Sequence, residues 1–212
     1  MEPNFENLEE HREAGTNEIQ PPKNIFKNVL VFVGEIAEII VISLAIIIPI
    51  RYFLVQPFYV KGASMEPNFY DGEYLIVDEL SYRLREAERG EVVVFKYPFD
   101  TRQYFIKRVI GLPGEEIVIG NGKIIVFNED NPKGIYIDET DYLESGLLTF
   151  GETKINLKED EYLVLGDNRN ASLDSRTFGP LKKDLIIGKV WLRGWPLERV
   201  GSLEKPVYAG LE

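Results

Sequence analysis

The feature that most constrains this chain is an apolar run of 22 residues at positions 29–50. As an α-helix it would extend roughly 33 Å, about the thickness of a hydrocarbon core. Glu35 and Glu38 interrupt the run three residues apart, so they lie on one helical face near one end, within reach of headgroups. We predict a single membrane span. The alternative is a buried core helix of a soluble protein, for which residues 39–50 alone would be long enough.

The flanks of this run define the N-terminal organisation but not its orientation. Residues 1–28 are polar and contain a Pro21-Pro22 pair, which indicates a disordered tail before an anchor at 29–58. A cleaved signal peptide fits less well, because the run begins about 28 residues into the chain and no small-x-small site follows closely. Two cations flank each side, so the positive-inside rule gives no orientation: Lys23 and Lys27 before the run, Arg51 and Lys61 after it.

The remainder of the chain has the pattern of a β-rich domain, assigned to residues 59–201. Short apolar runs at 73–78, 91–96, 104–110, 162–165 and 187–192 read as strands. Residues 116–127 predict a hairpin, since Asn121-Gly122 supplies the two positive-φ positions of a type I′ turn. Residues 128–152 are an acidic, weakly patterned insertion, and 202–212 a C-terminal tail. The predicted fold class is mainly β: an antiparallel sheet or barrel-like domain following one transmembrane helix.

Composition removes most kinds of catalytic site. There is no cysteine, which excludes disulfides, thiol nucleophiles and Cys-ligated metals. The one histidine, His11, lies in a Glu-rich part of the tail, so a Ser-His-Asp triad or a His-rich zinc site is close to ruled out. The net charge of −11 argues against nucleic-acid binding. We predict no metal and no cofactor, and any hydrolase here needs a carboxylate or a lysine as its base.

Two residues are candidates for nucleophilic chemistry. Ser64 lies in the segment GASMEP, residues 62–67, whose small residues permit close approach of another backbone. Lys107 lies in a strand pattern between the same-face neighbours Phe105 and Val109. The simpler interpretations are an ordinary turn serine and a lysine that snorkels at a sheet edge. The alternative is a desolvated amine with a lowered pKa that takes the proton of a serine hydroxyl.

A third segment, residues 166–180, follows a strand and is rich in polar residues, Gly and Pro. By itself it would be a surface loop with Asx turns. It also brings together four charged residues that are able to pair and fix the loop: Asp167, Arg169, Asp174 and Arg176.

Together these segments resemble bacterial type I signal peptidases, a Ser-Lys family that cleaves secretory proteins after translocation. The resemblance covers roughly residues 30–200. Four motifs occur in order: GASMEP at 62–67 preceded by QPF, GEVVVF at 90–95, FIKRVIGLPGE at 105–115, and GDNR…SLDSR at 166–176. Each is weak alone, but their order behind an apolar span is specific. Asn170 and Ala171 stand where the family usually has Asp-Asn.

The resemblance implies a role for each matching residue. Ser64 would be the nucleophile and Lys107 the general base, with the Ser64 backbone N–H as one oxyanion donor. Gly62 occupies the position of the family's frequent second donor, a serine hydroxyl, so that donor stays open and a backbone N–H is one option. Ser172 would hydrogen-bond the lysine amine. Supporting salt bridges would involve Asp174, Arg176 and Arg108.

The resemblance also implies a substrate and a location. A signal peptide would add as a strand beside residues 56–62 and 104–106 and be cut after an Ala-x-Ala site. The pocket lining would include Phe58, Val60, Phe69, Phe105 and Ile106. Apolar residues near Met65 and Phe69 would touch the lipid bilayer, close to the secretion translocon. The N-terminus would be cytoplasmic and the catalytic domain would lie outside the plasma membrane.

Two other functions are weighed against this one. A self-cleaving Ser-Lys regulator of the repressor type would need a DNA-binding helical domain, which the sequence does not show. A non-enzymatic, membrane-anchored β-domain adaptor would leave Ser64, Lys107 and the Arg-Asp loop as coincidences.

Overall fold

The structure, a computed structural model, describes residues 25–53 and 55–211. Residues 1–24, which include most of the predicted tail and His11, lie outside the described residues. The chain divides into two units, residues 1–47 and 48–212, and each is described by itself.

The described residues of the first unit belong to an apolar helix, α1, whose full extent is Ile25–Phe53. By length and composition, Phe26–Ile48 is the one helix in the described part of the chain that could cross a membrane. The side chains of residues 26–48 are exposed. A core helix of a soluble protein would bury such side chains, so α1 is compatible with the predicted span.

The second unit is built from two antiparallel sheets. The larger sheet has the strand order β1-β2-β11-β3-β4-β9-β10, with β12 also paired to β11. Its strands are β1 (Val55–Tyr59), β2 (Tyr74–Asp78), β3 (Val92–Tyr97), β4 (Asp100–Gly111), β9 (Glu161–Leu165), β10 (Leu181–Lys182), β11 (Ile186–Trp195) and β12 (Gly201–Ser202). The smaller sheet, in the order β7-β6-β5-β8, contains β5 (Glu116–Gly120), β6 (Lys123–Phe127), β7 (Ile135–Tyr136) and β8 (Thr153–Asn156). Two one-turn helices, α2 (Ser81–Leu84) and α3 (Ser175–Phe178), and 3₁₀ turns at Lys183–Leu185 and Leu197–Arg199 complete it.

The expected mainly antiparallel fold with one N-terminal apolar helix is confirmed. All five predicted strand runs fall on strands β2, β3, β4, β9 and β11. The hairpin is also confirmed: β5 pairs with β6 in register, and Asn121 and Gly122 have φ of 51° and 76°. Strand β1 begins inside the range 29–58 that the sequence assigns to the anchor and ends one residue beyond it. Pro57 explains why helix gives way to strand there, since proline is tolerated on an edge strand but not in a helix interior.

Three clusters of buried side chains form the core of the second unit. One cluster, with Met65 and Phe69, lies under the serine segment, and a second packs around Phe95 and Tyr162. The third joins the smaller sheet to β4 and β9, and it includes Tyr208 and Leu211. The C-terminal segment therefore contributes to the core, although the sequence pattern there suggests only a tail.

Candidate active site

Ser64 lies in a turn that is fixed at both ends. The chain leaves β1 through Val60, whose N–H donates to Glu73 O at 2.8 Å and whose carbonyl accepts from Gly72 N at 3.0 Å. Gly62 then turns the chain with a φ of +88°, a conformation that favours glycine. Beyond Ser64, the buried side chains of Met65 and Phe69 hold the turn against the core. Ser64 is left half-buried.

Lys107 reaches Ser64 from the middle of the larger sheet. It lies on β4 opposite Val93 of β3, and its side chain is only 2% exposed. Its Nζ is 2.7 Å from Ser64 Oγ and donates to the carbonyl of Ile106 at 2.7 Å. The structure thus brings together the two residues that the sequence singles out for nucleophilic chemistry.

The buried environment of Lys107 makes its amine easier to deprotonate than that of an exposed lysine. Burial lowers the pKa of the Lys107 amine to about 8, although the charges of Asp174 and Asp167 oppose this shift. The ordinary value is 10.5. A neutral amine within hydrogen-bond distance of a hydroxyl is able to act as its general base.

An open groove of about 440 Å³ runs past both residues. Four of the five predicted pocket residues line it, namely Phe58, Val60, Phe105 and Ile106. Phe69 does not. It is fully buried in the core, with the Arg193 guanidinium over its ring, so its assignment to the pocket was wrong.

The predicted bilayer contact concerns exposed apolar residues near Met65 and Phe69. Met65 is 1% exposed and Phe69 0% exposed, so neither side chain can touch lipid. Exposed aromatic side chains do lie nearby, at Tyr70 and Tyr74.

Arg108 points to the opposite face of β4 from Lys107 and pairs with Asp167. Its Nε and Nη2 donate to the two carboxylate oxygens of Asp167 at 2.9 and 2.6 Å, while Nη1 donates to Gly90 O at 2.9 Å. Both side chains are buried. The pair ties the strand that carries Lys107 to the loop after β9.

The predicted ion-pair residues Asp174 and Arg176 pair within that loop. Arg176 Nε and Nη2 each donate to Asp174 at 2.8 Å, and Gly166 N donates to Asp174 Oδ2 at 3.0 Å. Burial raises the pKa of Asp174, but the bonds from Arg176 and Gly166 outweigh it and hold the pKa below its ordinary value. Asp174 is therefore ionised and also caps α3 through Arg176 N.

Gly166 lets this loop approach the serine segment closely. A Cβ at Gly166 would lie 2.1 Å from Ser172 Oγ and 2.5 Å from Ser64 O, which no real side chain permits. Glycine is therefore required where the loop, Ser172 and the backbone of Ser64 meet.

One expected hydrogen bond is not formed, and one backbone N–H near the position of the open second oxyanion donor has another partner. Lys107 Nζ bonds to Ser64 Oγ and to the Ile106 carbonyl, and its predicted bond to Ser172 is not formed. The buried Ser172 hydroxyl lies beside Asp174 instead and helps to lower the pKa of that carboxyl group. The Gly62 N–H donates to Asp71 Oδ1 at 2.6 Å, so it is not available as the second oxyanion donor. Both groups lie in loop segments outside the strands, where strand alternation does not determine which partner a polar group contacts.

Three polar residues near the site had no assigned role in the sequence analysis. Asn168 N donates to Ser64 O at 3.1 Å, and its side chain donates to Ala63 O at 3.0 Å. Asn68 Nδ2 donates to Asp167 Oδ2 at 2.8 Å. Glu139, from the acidic insertion, pairs with Arg169 at 2.5 Å. Asn168 belongs to a quoted motif and was within reach of sequence reasoning. Asn68 and Glu139 carry no local signal.

Comparisons with known proteins identify the family to which this sequence belongs. Residues 33–195 match the family described as signal peptidase, peptidase S26. A probable signal peptidase I-2 from Synechocystis sp. is 36% identical over 91% of this chain and 84% of its own length. A signal peptidase IB from Staphylococcus aureus is 36% identical over 74% of this chain and 86% of its own length. A crystal structure of a signal peptidase I from Enterococcus faecalis V583, 25% identical, aligns with 50% of this chain and 97% of that chain at a TM-score of 0.41, which is too low to add an argument.

The chain belongs to the signal peptidase family, peptidase S26. It is therefore a hydrolase that removes signal peptides, and the family resemblance identified from the four motifs is confirmed. Because the chain belongs to this family of peptidases, the two other functions considered, a repressor-type regulator and a non-enzymatic adaptor, are not favoured.

Proposed function

We propose that the chain cleaves preproteins through a Ser64–Lys107 dyad and an acyl-enzyme. The observation that carries this proposal is the 2.7 Å approach of a buried lysine amine to a serine hydroxyl in an open groove. The burial that lowers the pKa of Lys107 to about 8 makes a neutral amine accessible near physiological pH.

In the first half of the reaction, the neutral Lys107 Nζ takes the proton of Ser64 Oγ as the oxygen attacks the scissile carbonyl carbon. The resulting oxyanion accepts a hydrogen bond from the Ser64 backbone N–H. The lysine ammonium then gives its proton to the leaving amine as the C–N bond breaks. The signal peptide remains joined to Ser64 as an ester.

In the second half, Lys107 is neutral again and takes a proton from a water molecule. The hydroxide oxygen attacks the ester carbonyl, and the proton returns to Ser64 Oγ as the C–O bond breaks. The products are a signal peptide with a free carboxylate and a mature chain with a new amino terminus. Asp174, Arg176, Arg108 and Ser172 support the loop around the dyad.

The groove suits an extended substrate strand with small side chains. Its walls come from the end of β1 and the residues that follow it, 58–62, and from β4 at 103–107, whose backbones flank the space that a strand would occupy. The apolar side chains of Val60, Leu75, Val94 and Ile106 limit its depth. Side chains of a bound strand alternate, so the first and third residues before the cut face the groove while the second faces away.

We propose that α1 crosses the plasma membrane once, with the N-terminus cytoplasmic and residues 59–201 outside, next to the bilayer and the secretion translocon. Exposed aromatic residues beside the groove, including Tyr59 and Tyr74, suit contact with headgroups. Protease added to intact spheroplasts should degrade the β-rich domain; full protection of that domain would contradict this orientation.

Cleavage of a test preprotein checks substrate choice. The full chain in detergent is expected to cut an Ala-x-Ala preprotein once, after the second Ala. Replacing that Ala with Leu should lower kcat/KM by about a hundredfold, because a shallow pocket cannot take the larger side chain. The matched control replaces the middle residue with Leu and should change kcat/KM little. Equal tolerance at both positions, or unchanged cutting by Ser64→Ala, would overturn the proposal.

A further inference from the structure

The acidic insertion at 128–152 touches the loop that carries Ser172 and Asp174. Glu139 contributes both carboxylate oxygens to the Arg169 guanidinium, at 2.5 Å from Nη1 and 2.6 Å from Nη2. Thr149 Oγ1 accepts from the same Nη1 at 2.5 Å. Farther along, the carbonyl of Phe150 accepts from Arg176 at 3.2 Å. The insertion therefore binds two guanidinium groups of the loop.

The ion pair between Arg169 and Glu139 is not a surface pair. The side chain of Arg169 is 0% exposed and that of Glu139 is 13% exposed. If the loop moved so that Arg169 lost its carboxylate partner, a buried positive charge would be left uncompensated. The contact therefore strongly favours the loop arrangement in which the pair is formed. A bidentate pair also fixes the orientation of the guanidinium plane.

Arg169 transmits this orientation to the serine segment by a short route. Its Nε donates to Gly166 O at 2.9 Å, and Gly166 is where Ser172 and the Ser64 carbonyl come closest to the loop. The adjacent residue, Asn168, donates through its backbone N–H to Ser64 O at 3.1 Å and through its side chain to Ala63 O at 3.0 Å. A shift of Arg169 would move both contacts.

We infer that Glu139 is a positioning residue, which acts through Arg169 to hold the Gly166–Asn168 backbone against the Ser64 segment. The inference rests on the proposed Ser64–Lys107 mechanism and assigns a role to the insertion in that same site. Glu139 touches neither the substrate groove nor the reacting atoms, so its effect is on the geometry of Ser64 and not on binding.

The test measures kcat and KM of the full chain in detergent for Glu139→Gln and for Glu144→Gln, an exposed carboxylate of the same insertion. Glu139→Gln is expected to lower kcat by about tenfold or more with KM changed less than about threefold, because small misplacements of a nucleophile cost rate. Rates are normalised to the folded fraction, measured by near-ultraviolet circular dichroism. A normalised kcat for Glu139→Gln equal to that of Glu144→Gln would overturn the inference.

A double-mutant cycle asks whether Glu139 acts through Arg169. Arg169→Gln alone should lower kcat about as much as Glu139→Gln. The kcat of the double variant should lie within about twofold of that of the less active single variant. If the two effects on kcat multiply in the double variant, the residues act independently, which would contradict the inference.

If these variants fail to fold, Thr149→Val is the alternative, because it removes only the hydrogen bond from the Arg169 guanidinium to a neutral hydroxyl group. It should lower kcat about two- to fivefold with KM unchanged, and an unaltered kcat would count against the inference.

The controls separate this inference from the proposed function. If Ser64→Ala or Lys107→Ala retains cleavage, the dyad mechanism itself fails. If both lose cleavage while Glu139→Gln matches Glu144→Gln, the mechanism stands and only the positioning role of Glu139 fails.

Discussion

Replacing Lys107 with arginine is expected to lower kcat/KM by at least about a thousandfold, equivalent to about 4 kcal/mol of transition-state stabilisation. Arginine keeps a positive charge but cannot release its proton at accessible pH, so it cannot accept the proton of Ser64. The measurement is the initial rate of preprotein cleavage by the full chain in detergent.

Arginine is larger than lysine, so a second variant separates chemistry from packing. Lys107→Met keeps the apolar stem and removes the amine from its buried position. It should be equally inactive, yet unfold at no lower temperature than the wild type, because no buried charge has to be accommodated. Lys123→Arg, on strand β6 in the smaller sheet, is the matched control and should keep full activity. More than about a tenth of wild-type activity in either Lys107 variant would refute the base assignment.

Replacing Asp167 with asparagine is expected to lower the free energy of unfolding by about 3–5 kcal/mol. The Arg108–Asp167 pair is buried, with side chains 5% and 0% exposed, so removing the carboxylate charge leaves the guanidinium charge uncompensated and away from water. Asn68 would also lose its acceptor at Asp167 Oδ2. The midpoint and slope of urea unfolding measure the change.

An exposed pair of the same chemistry provides the control. Arg102 and Asp100 also form a close ion pair, but the Arg102 side chain is 88% exposed. Asp100→Asn should leave the unfolding curve nearly unchanged, because solvent already compensates both charges. The double variant Arg108→Met, Asp167→Asn should recover part of the loss, since no buried charge remains. A loss for Asp167→Asn no larger than that for Asp100→Asn would contradict the structural role of the buried pair.

The strands were predictable from the sequence because their signals are local. Alternating apolar residues define strands, and Asn121-Gly122 specifies a tight hairpin whatever surrounds it. Lys107 was singled out because the chain has no cysteine and one tail histidine, which leaves few candidates for a base. The resemblance to a known family then supplied the pairing with Ser64, which composition alone leaves open.

The contacts around the dyad were not predictable, because their partners are distant in sequence. Arg108 and Asp167 are 59 residues apart, and Arg169 and Glu139 are 30 apart. Any of several carboxylates in the insertion would have looked equally suitable. The error at Phe69 has a different cause. The chain turns after Ser64, so side-chain alternation stops there and Phe69 enters the core.

The central claim is that Lys107 acts as a neutral amine, and the pH dependence of kcat/KM tests it most directly. A lysine pKa lowered to about 8 means that the amine is protonated and inactive below that pH and neutral above it. With a substrate that has no titrating group in this range, kcat/KM should fall tenfold per pH unit below about 8 and level off above it. An acidic limb near the ordinary lysine value of 10.5, or a rate independent of pH between 6 and 9, would contradict the account.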